Sequence, residues 1–151
     1  MIKLNTDKIY SKFRDIKQSI DRLKAFRDIS LDEFLNDRDK QDIASFRLIV
    51  AIEAAIDMCL HIEAKVFKKV PEEYAGCFKL LCDHGLIDLD LSIRLGRMAR
   101  FRNLLVHQYW EIDHSRMYEI ITGSDVGDLE EFMSQISRWI SNRSRDQDFP
   151  V

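Results

Sequence analysis

Four residues able to do chemistry fall within eight positions of this chain: Arg102, Asn103, His107 and Tyr109. Imidazole accepts and donates protons near neutral pH. A guanidinium is a planar, permanently charged fork matched to phosphate. A phenol can carry a transferred group, and an amide can orient either neighbour. The spacing limits how they cooperate. At about 100° per residue on a helix, Asn103 and His107 share one face, as i and i+4 do. Arg102 and Tyr109, seven apart, share another. Arg102 and His107 are about 140° apart and cannot converge within one straight helix. A joint site needs the helix to end near His107, or a second chain to complete it. The plainer reading is a helix end with a favourable cationic cap, with Tyr109 packing on Trp110 or Leu105. Charge shifts the balance. The twenty residues between Asp90 and Glu111 contain no acid but hold Arg94, Arg97, Arg100 and Arg102. That window carries +4 within a chain of net charge -3. Positive charge without local acids has phosphate as its natural partner. A pI near 5.8 excludes a general nucleic-acid coating protein, but not one basic site on an acidic body.

A metal site is the other candidate. Cys77, Cys82 and His84 lie close together, as do Cys59 and His61. The cysteines sit inside an amphipathic pattern with Phe78, Leu80 and Leu81 rather than in a loop. They read as buried core thiols, so no metal and no cofactor is expected. Three cysteines without a framework pattern point to a reducing, cytoplasmic setting.

The elements that must position these residues are helical. The 151 residues contain 46% hydrophobic and 32% charged residues, with five Gly and two Pro. This suits one globular domain and leaves too few turn formers for an all-β fold. No apolar run is long enough to span a membrane, and Met1–Tyr10 lacks the apolar stretch of a secretory signal. Apolar residues from Ile9 to Phe26 recur at helical steps behind a cap at Thr6. Ser30 and Glu33 open a short helical turn. A long, central helix starts near Asp39, takes in Ile43, Phe46, Ile49 and Ile56, and stops before Pro71. Pro71, Glu72 and Glu73 begin the next helix, which ends at Gly85. Asp88 or Asp90 caps a helix running to about His107. Its apolar stripe is Leu91, Leu95, Met98, Phe101 and Leu105. Its Gly96, Ala99, Asn103 and His107 face could admit a second copy of the chain. Asp113 caps a further helix, the segment 122–127 breaks it, and a last helix runs from Leu129 to about Arg143. The expected architecture is an all-α, up-and-down bundle over residues 1–143, followed by a flexible polar tail at 144–151.

The run Arg-x4-His-x-Tyr from Arg102 to Tyr109 resembles the signature of HEPN-domain proteins of the HepT-like toxin family. The likeness extends over most of the chain: Arg38 to Val66, then Pro71, Tyr74, Phe78 and Gly85-Leu86-Ile87, then Phe101 to Tyr109 with Ile112-Asp113 and Tyr118, and finally Asp128-Leu129 with Phe132 and Ile136. The resemblance implies a homodimeric, metal-independent endoribonuclease toxin whose two motifs meet at the dimer interface. Its partner would be an MNT-type nucleotidyltransferase antitoxin that attaches AMP to Tyr109. Arg102, Asn103 and His107 would be catalytic, with the RNA 2′-hydroxyl as nucleophile and a 2′,3′-cyclic phosphate as product. Arg94, Arg97 and Arg100 are candidates for RNA contact. The alternative is a non-catalytic binding subunit that holds a nucleotidyltransferase and positions its substrate.

Overall fold

Five of the seven helices begin where a side chain satisfies one of the first free amides. The computed structural model describes residues 4–148. Seven α-helices occupy them: α1 (Thr6–Lys24), α2 (Leu31–Leu35), α3 (Arg38–Ile62), α4 (Tyr74–Asp83), α5 (Leu89–His107), α6 (His114–Thr122) and α7 (Asp125–Asp148). Asn5, Ser30, Asp37, Asp88 and Asp113 cap the starts of α1, α2, α3, α5 and α6 with side-chain oxygens, which offsets the orphaned donors of a helix N-terminus. No strand occurs among the described residues. The expected all-α bundle is what forms, and α3 packs against α1, α4, α5, α6 and α7.

The core is one continuous cluster. Its largest wholly enclosed side chains include Phe34, Phe78 and Phe132, together with Ile52, Met58 and Ile62 of α3. The whole expected stripe of α5, Leu91, Leu95, Met98, Phe101 and Leu105, is buried in it. Two glycines punctuate the chain for steric reasons. Gly85, at φ +83°, closes α4: its amide and that of Leu86 donate to Cys82 and Leu81, the paired bonds of a Schellman motif. At Gly123 a Cβ would lie 2.6 Å from the Glu119 carbonyl oxygen, so the break between α6 and α7 requires a residue without one.

Several boundaries differ from expectation. The cap of α1 is Asn5, not Thr6. α3 gives way at Glu63 to a π turn, Glu63–Phe67, and Lys68 is left-handed at φ 56°. The segment through Pro71 is used in the reversal, so α4 starts at Tyr74 rather than at Pro71. α7 starts at Asp125, four residues before Leu129, and takes in residues 144–148 of the expected tail; residues 149–151 lie outside the described residues. Ile43 and Phe46, taken into the apolar pattern of the long helix, are exposed, Phe46 by 58%, because they lie on the face of α3 opposite the buried Gln41, Ala44, Ser45 and Leu48.

The cysteines also differ from expectation. Cys59 and Cys77 are buried, as anticipated, but joined in a disulfide between α3 and α4, with Cα atoms 6.1 Å apart. Cys82 is free and partly buried. Iodoacetamide in denaturant is expected to label one thiol per chain before reduction and three after it, read by intact mass.

Asp88 does more than cap α5. Its Oδ1 accepts from the Leu91 amide at 2.8 Å and its Oδ2 from the Gln135 side chain of α7 at 2.8 Å. The backbone bond, then the Gln135 bond, lower its pKa below the ordinary carboxylate value. A pKa depressed by folding contributes stability above the unfolded value near 4, and that contribution is lost as pH falls through the folded value. Asp88→Ala is expected to cost about 1 kcal/mol at pH 7. The gap from the parent protein should shrink below about pH 4, which thermal melts across pH 2–7 would read.

Candidate active site at the end of helix α5

The site forms where α5 runs out. His107 is its last residue, and Gln108 leaves the helix with its amide still bonded to the Leu104 carbonyl at 2.8 Å. Tyr109–Glu111 then form one 3-10 turn. Two residues of α3 hold this end in place. Glu53 Oε1 accepts from Arg102 Nε at 3.1 Å and from Arg102 NH2 at 2.5 Å. Asp42 Oδ1 accepts from the Tyr109 hydroxyl. Asp42 and Glu53 are eleven residues apart, about three turns, and so share one face of α3.

Arg102 and Tyr109 are partly buried, whereas Asn103 and His107 are exposed. Besides the bonds to Glu53, Arg102 NH1 donates to Asn103 Oδ1 at 3.0 Å, and its guanidinium lies 5.6 Å from the centre of the Tyr74 ring. Three elements therefore fix one guanidinium. Asn103 and His107 are exposed and line a shared recess of about 420 Å³ with Arg100, Leu104 and Gln108. Arg102 does not line that recess; Asn103 is the link between Arg102 and the His107 side. This is the angular separation anticipated from the spacing. Leu104, which lines the recess, is 45% exposed, and Val106 and Trp110 on either side of His107 in sequence are 42% and 80% exposed.

Two expectations about this region need correction. The small residues Gly96 and Ala99 are buried within the chain, and a Cβ on Gly96 would sit 3.7 Å from the Ala75 carbonyl oxygen. Their smallness admits α4, not a second copy. Only Asn103 and His107 of that face are uncovered, since α4 begins at Tyr74, level with Arg102. The positive charge of α5 is also less free than local sequence suggested. Arg102 pairs with Glu53, and Arg94 Nε pairs with Asp128 of α7 at 2.9 Å. Arg94 and Arg97 line a separate cleft of about 180 Å³ with Arg116, Glu119 and Asp125. Of the three arginines considered for RNA contact, Arg100 alone lines the recess with His107.

The metal candidates are dispersed. Cys59 and Cys77 are bonded to each other. His84 Nδ1 lies 3.1 Å from Glu63 Oε1 and its ring stacks on Phe67. His61 Nε2 accepts from the Asn5 amide at 3.3 Å. Among the described residues no three His, Cys, Asp or Glu side chains are grouped as metal ligands, and no helix is long and apolar enough to cross a membrane. Sequence reasoning missed Glu53 and Asp42. Their only signal was that, eleven residues apart, they share one face of the long helix; their partners Arg102 and Tyr109 are fixed only by how α3 packs on α5 and the turn after it.

Residues 16–136 match the family described as ribonuclease HepT-like. The chain belongs to that family. It is 30% identical over 131 residues to the mRNA nuclease HepT of Shewanella oneidensis, covering 86% of this chain and 96% of that protein. It is 30% identical over 116 residues to the tRNA nuclease HepT of Aphanizomenon flos-aquae, covering 76% of this chain and 78% of that protein. Its structure is similar to the tri-AMPylated Shewanella oneidensis HEPN toxin solved in complex with MNT antitoxin. The TM-score is 0.80 at 29% identity, over 87% of this chain and 98% of that one. The HepT-like fold resemblance seen in the motif thus holds across the domain.

The Tyr109 phenol has a raised pKa. The hydrogen bond to Asp42 is the main cause, followed by desolvation and the Asp42 charge, with Arg38 acting in the opposite direction. Ultraviolet titration at 295 nm is expected to show Tyr109 ionising above the ordinary value near 10, and Asp42→Asn to bring it down.

Proposed function

We propose that this chain is a metal-independent endoribonuclease, the toxin of a toxin–antitoxin pair, and that an MNT-type nucleotidyltransferase neutralises it by adding AMP to Tyr109. The observation that carries this reading is the uncovered end of α5, where Asn103, itself bonded to Arg102, shares an exposed recess with His107. The two curated relatives named as mRNA and tRNA nucleases support RNA as the substrate. The solved toxin complex supports both the partner and the modification.

The chemistry follows from the groups present. RNA carries its own nucleophile, the 2′-hydroxyl, so attack on the adjacent phosphorus needs no activated water. His107 of one chain removes the 2′ proton, and an imidazole also protonates the departing 5′ oxygen. Arg102 stabilises the charge that builds on the phosphorane-like transition state, and Asn103 orients the phosphate or His107. Glu53 positions Arg102. The product is a 2′,3′-cyclic phosphate.

One chain alone presents Arg102 and His107 to different sides. A homodimer through the exposed Leu104, Val106 and Trp110 surface would place the His107 of each copy beside the Arg102–Asn103 pair of the other. Such an interface also covers apolar surface that is otherwise unexplained. Arg100 is placed to contact RNA phosphate; Arg94 and Arg97 face the cleft with acids and are weaker candidates. AMP on Tyr109, two residues beyond His107, would add negative charge and an adenine next to the motif and exclude RNA.

Purified protein with unmodified Tyr109 is expected to cleave RNA in excess EDTA, leaving 2′,3′-cyclic ends. His107→Ala should lower the rate by at least about 100-fold, and Arg102→Ala by about 100- to 1000-fold. Products with 3′-hydroxyl ends, or equal cleavage by His107→Ala, would overturn the mechanism. No cleavage by the parent protein would assign the chain to the non-catalytic binding role.

A further inference from the structure

Tyr109 does not project freely into solvent. Its hydroxyl donates to Asp42 Oδ1, sixty-seven residues away in sequence and on a different helix. Arg38, one turn earlier on α3, also acts on the phenol through its charge. Asp42 and Arg38 are both exposed, so neither is needed to fill the core. The proposed ribonuclease chemistry at Arg102, Asn103 and His107 makes no use of them. A carboxylate has thus been placed at the one hydroxyl on which the proposed modification acts, with an arginine one turn away on the same helix.

A protonated phenol is a weak nucleophile, and group transfer to it needs a positioned proton acceptor. We propose that Asp42 is the general base for AMP addition to Tyr109, so that the modified chain supplies the base for its own modification. The inference rests on Tyr109 being the AMP acceptor, as proposed above. In this step the Tyr109 oxygen attacks the α-phosphorus of a nucleoside triphosphate. The bond from that phosphorus to the bridging oxygen breaks, and pyrophosphate leaves with the bonding pair. The phenolic proton passes to the Asp42 carboxylate and then to water. One phenol and one triphosphate give one aryl phosphodiester and pyrophosphate, with no oxidant or reductant. Arg38 offsets the charge gathering on the phosphoryl oxygens. The resting hydrogen bond keeps the phenol neutral, so ionisation is deferred to the moment of transfer rather than achieved beforehand. The contact is also directional: Asp42 accepts the proton of the hydroxyl that must attack, which leaves the lone pairs of that oxygen free for phosphorus.

Asp42→Asn separates the base from a mere anchor. An amide oxygen still accepts the Tyr109 hydrogen bond but does not take its proton. The experiment uses the full chain with its cognate nucleotidyltransferase and α-labelled ATP, followed by single-turnover label incorporation and intact mass. The first AMP addition at pH 7 is expected to slow by at least about tenfold in Asp42→Asn, with KM for ATP unchanged. The deficit should narrow as pH rises toward the ordinary phenol range near 10. Any later addition starts from a hydroxyl of the attached nucleotide and should keep its parent rate. Asp42→Glu should recover part of the loss. Equal rates for the parent and Asp42→Asn at pH 7 would overturn the proposal. So would a deficit parallel at every pH and accompanied by a raised KM, since that marks a docking role. Absence of AMP on the parent chain, or a mass increase that survives Tyr109→Phe, would overturn the Tyr109 reading itself and this inference with it.

Discussion

The end of α5 is held to α3 by two carboxylates, Glu53 on Arg102 and Asp42 on Tyr109, and the geometry of the site depends on those contacts. A helix terminus is ordinarily where a bundle frays. Here the residues on either side of His107 are tied to the central helix, one through a two-pronged ion pair and the other through a phenol. His107 itself is left unheld among the described residues. The arrangement gives a fixed cation, a fixed hydroxyl and a free imidazole within two turns of backbone.

The local parts of this structure were legible in the sequence. Ser30, Asp88 and Asp113 cap helices because a short oxygen-bearing side chain can reach amides two or three residues ahead, and that rule needs no tertiary information. Gly85 ends α4 for an equally local reason. The stripe from Leu91 to Leu105 predicted its own burial. The start of α4 was not local in this sense. Pro71 with two following acids is a good helix opening, yet the chain there is still reversing out of the left-handed Lys68.

The site was legible as a list of residues and not as an electrostatic arrangement. Twenty residues without an acid looked like unneutralised charge, but neutrality in a bundle is settled between helices. Glu53 and Asp128 arrive from α3 and α7. The same limit applies to Gly96 and Ala99, whose small side chains announced a close neighbour without saying which one, and to Cys59 and Cys77, which meet only because α3 and α4 pack together. Phe46 shows the converse, since it is an apolar residue on the outward face of the central helix, with Ala44, Ser45 and Leu48 buried on the other side of the same turns.

The pairing of Arg102 with Glu53 bears on how the site would respond to salt. Binding to a polyanion is usually driven by release of mobile counterions, and its steep ionic-strength dependence counts the cations that bind phosphate. Arg102 already carries its counterion, and that ion is a side chain that cannot diffuse away. With Glu53 beside it the Arg102 pair is close to neutral overall, so it displaces few of the cations condensed on an RNA backbone. The cation at the centre of the site would then add little to the salt slope of RNA association. That slope would be left to exposed cations such as Arg100, so the group that stabilises the reaction and the groups that gather the ligand would be separate.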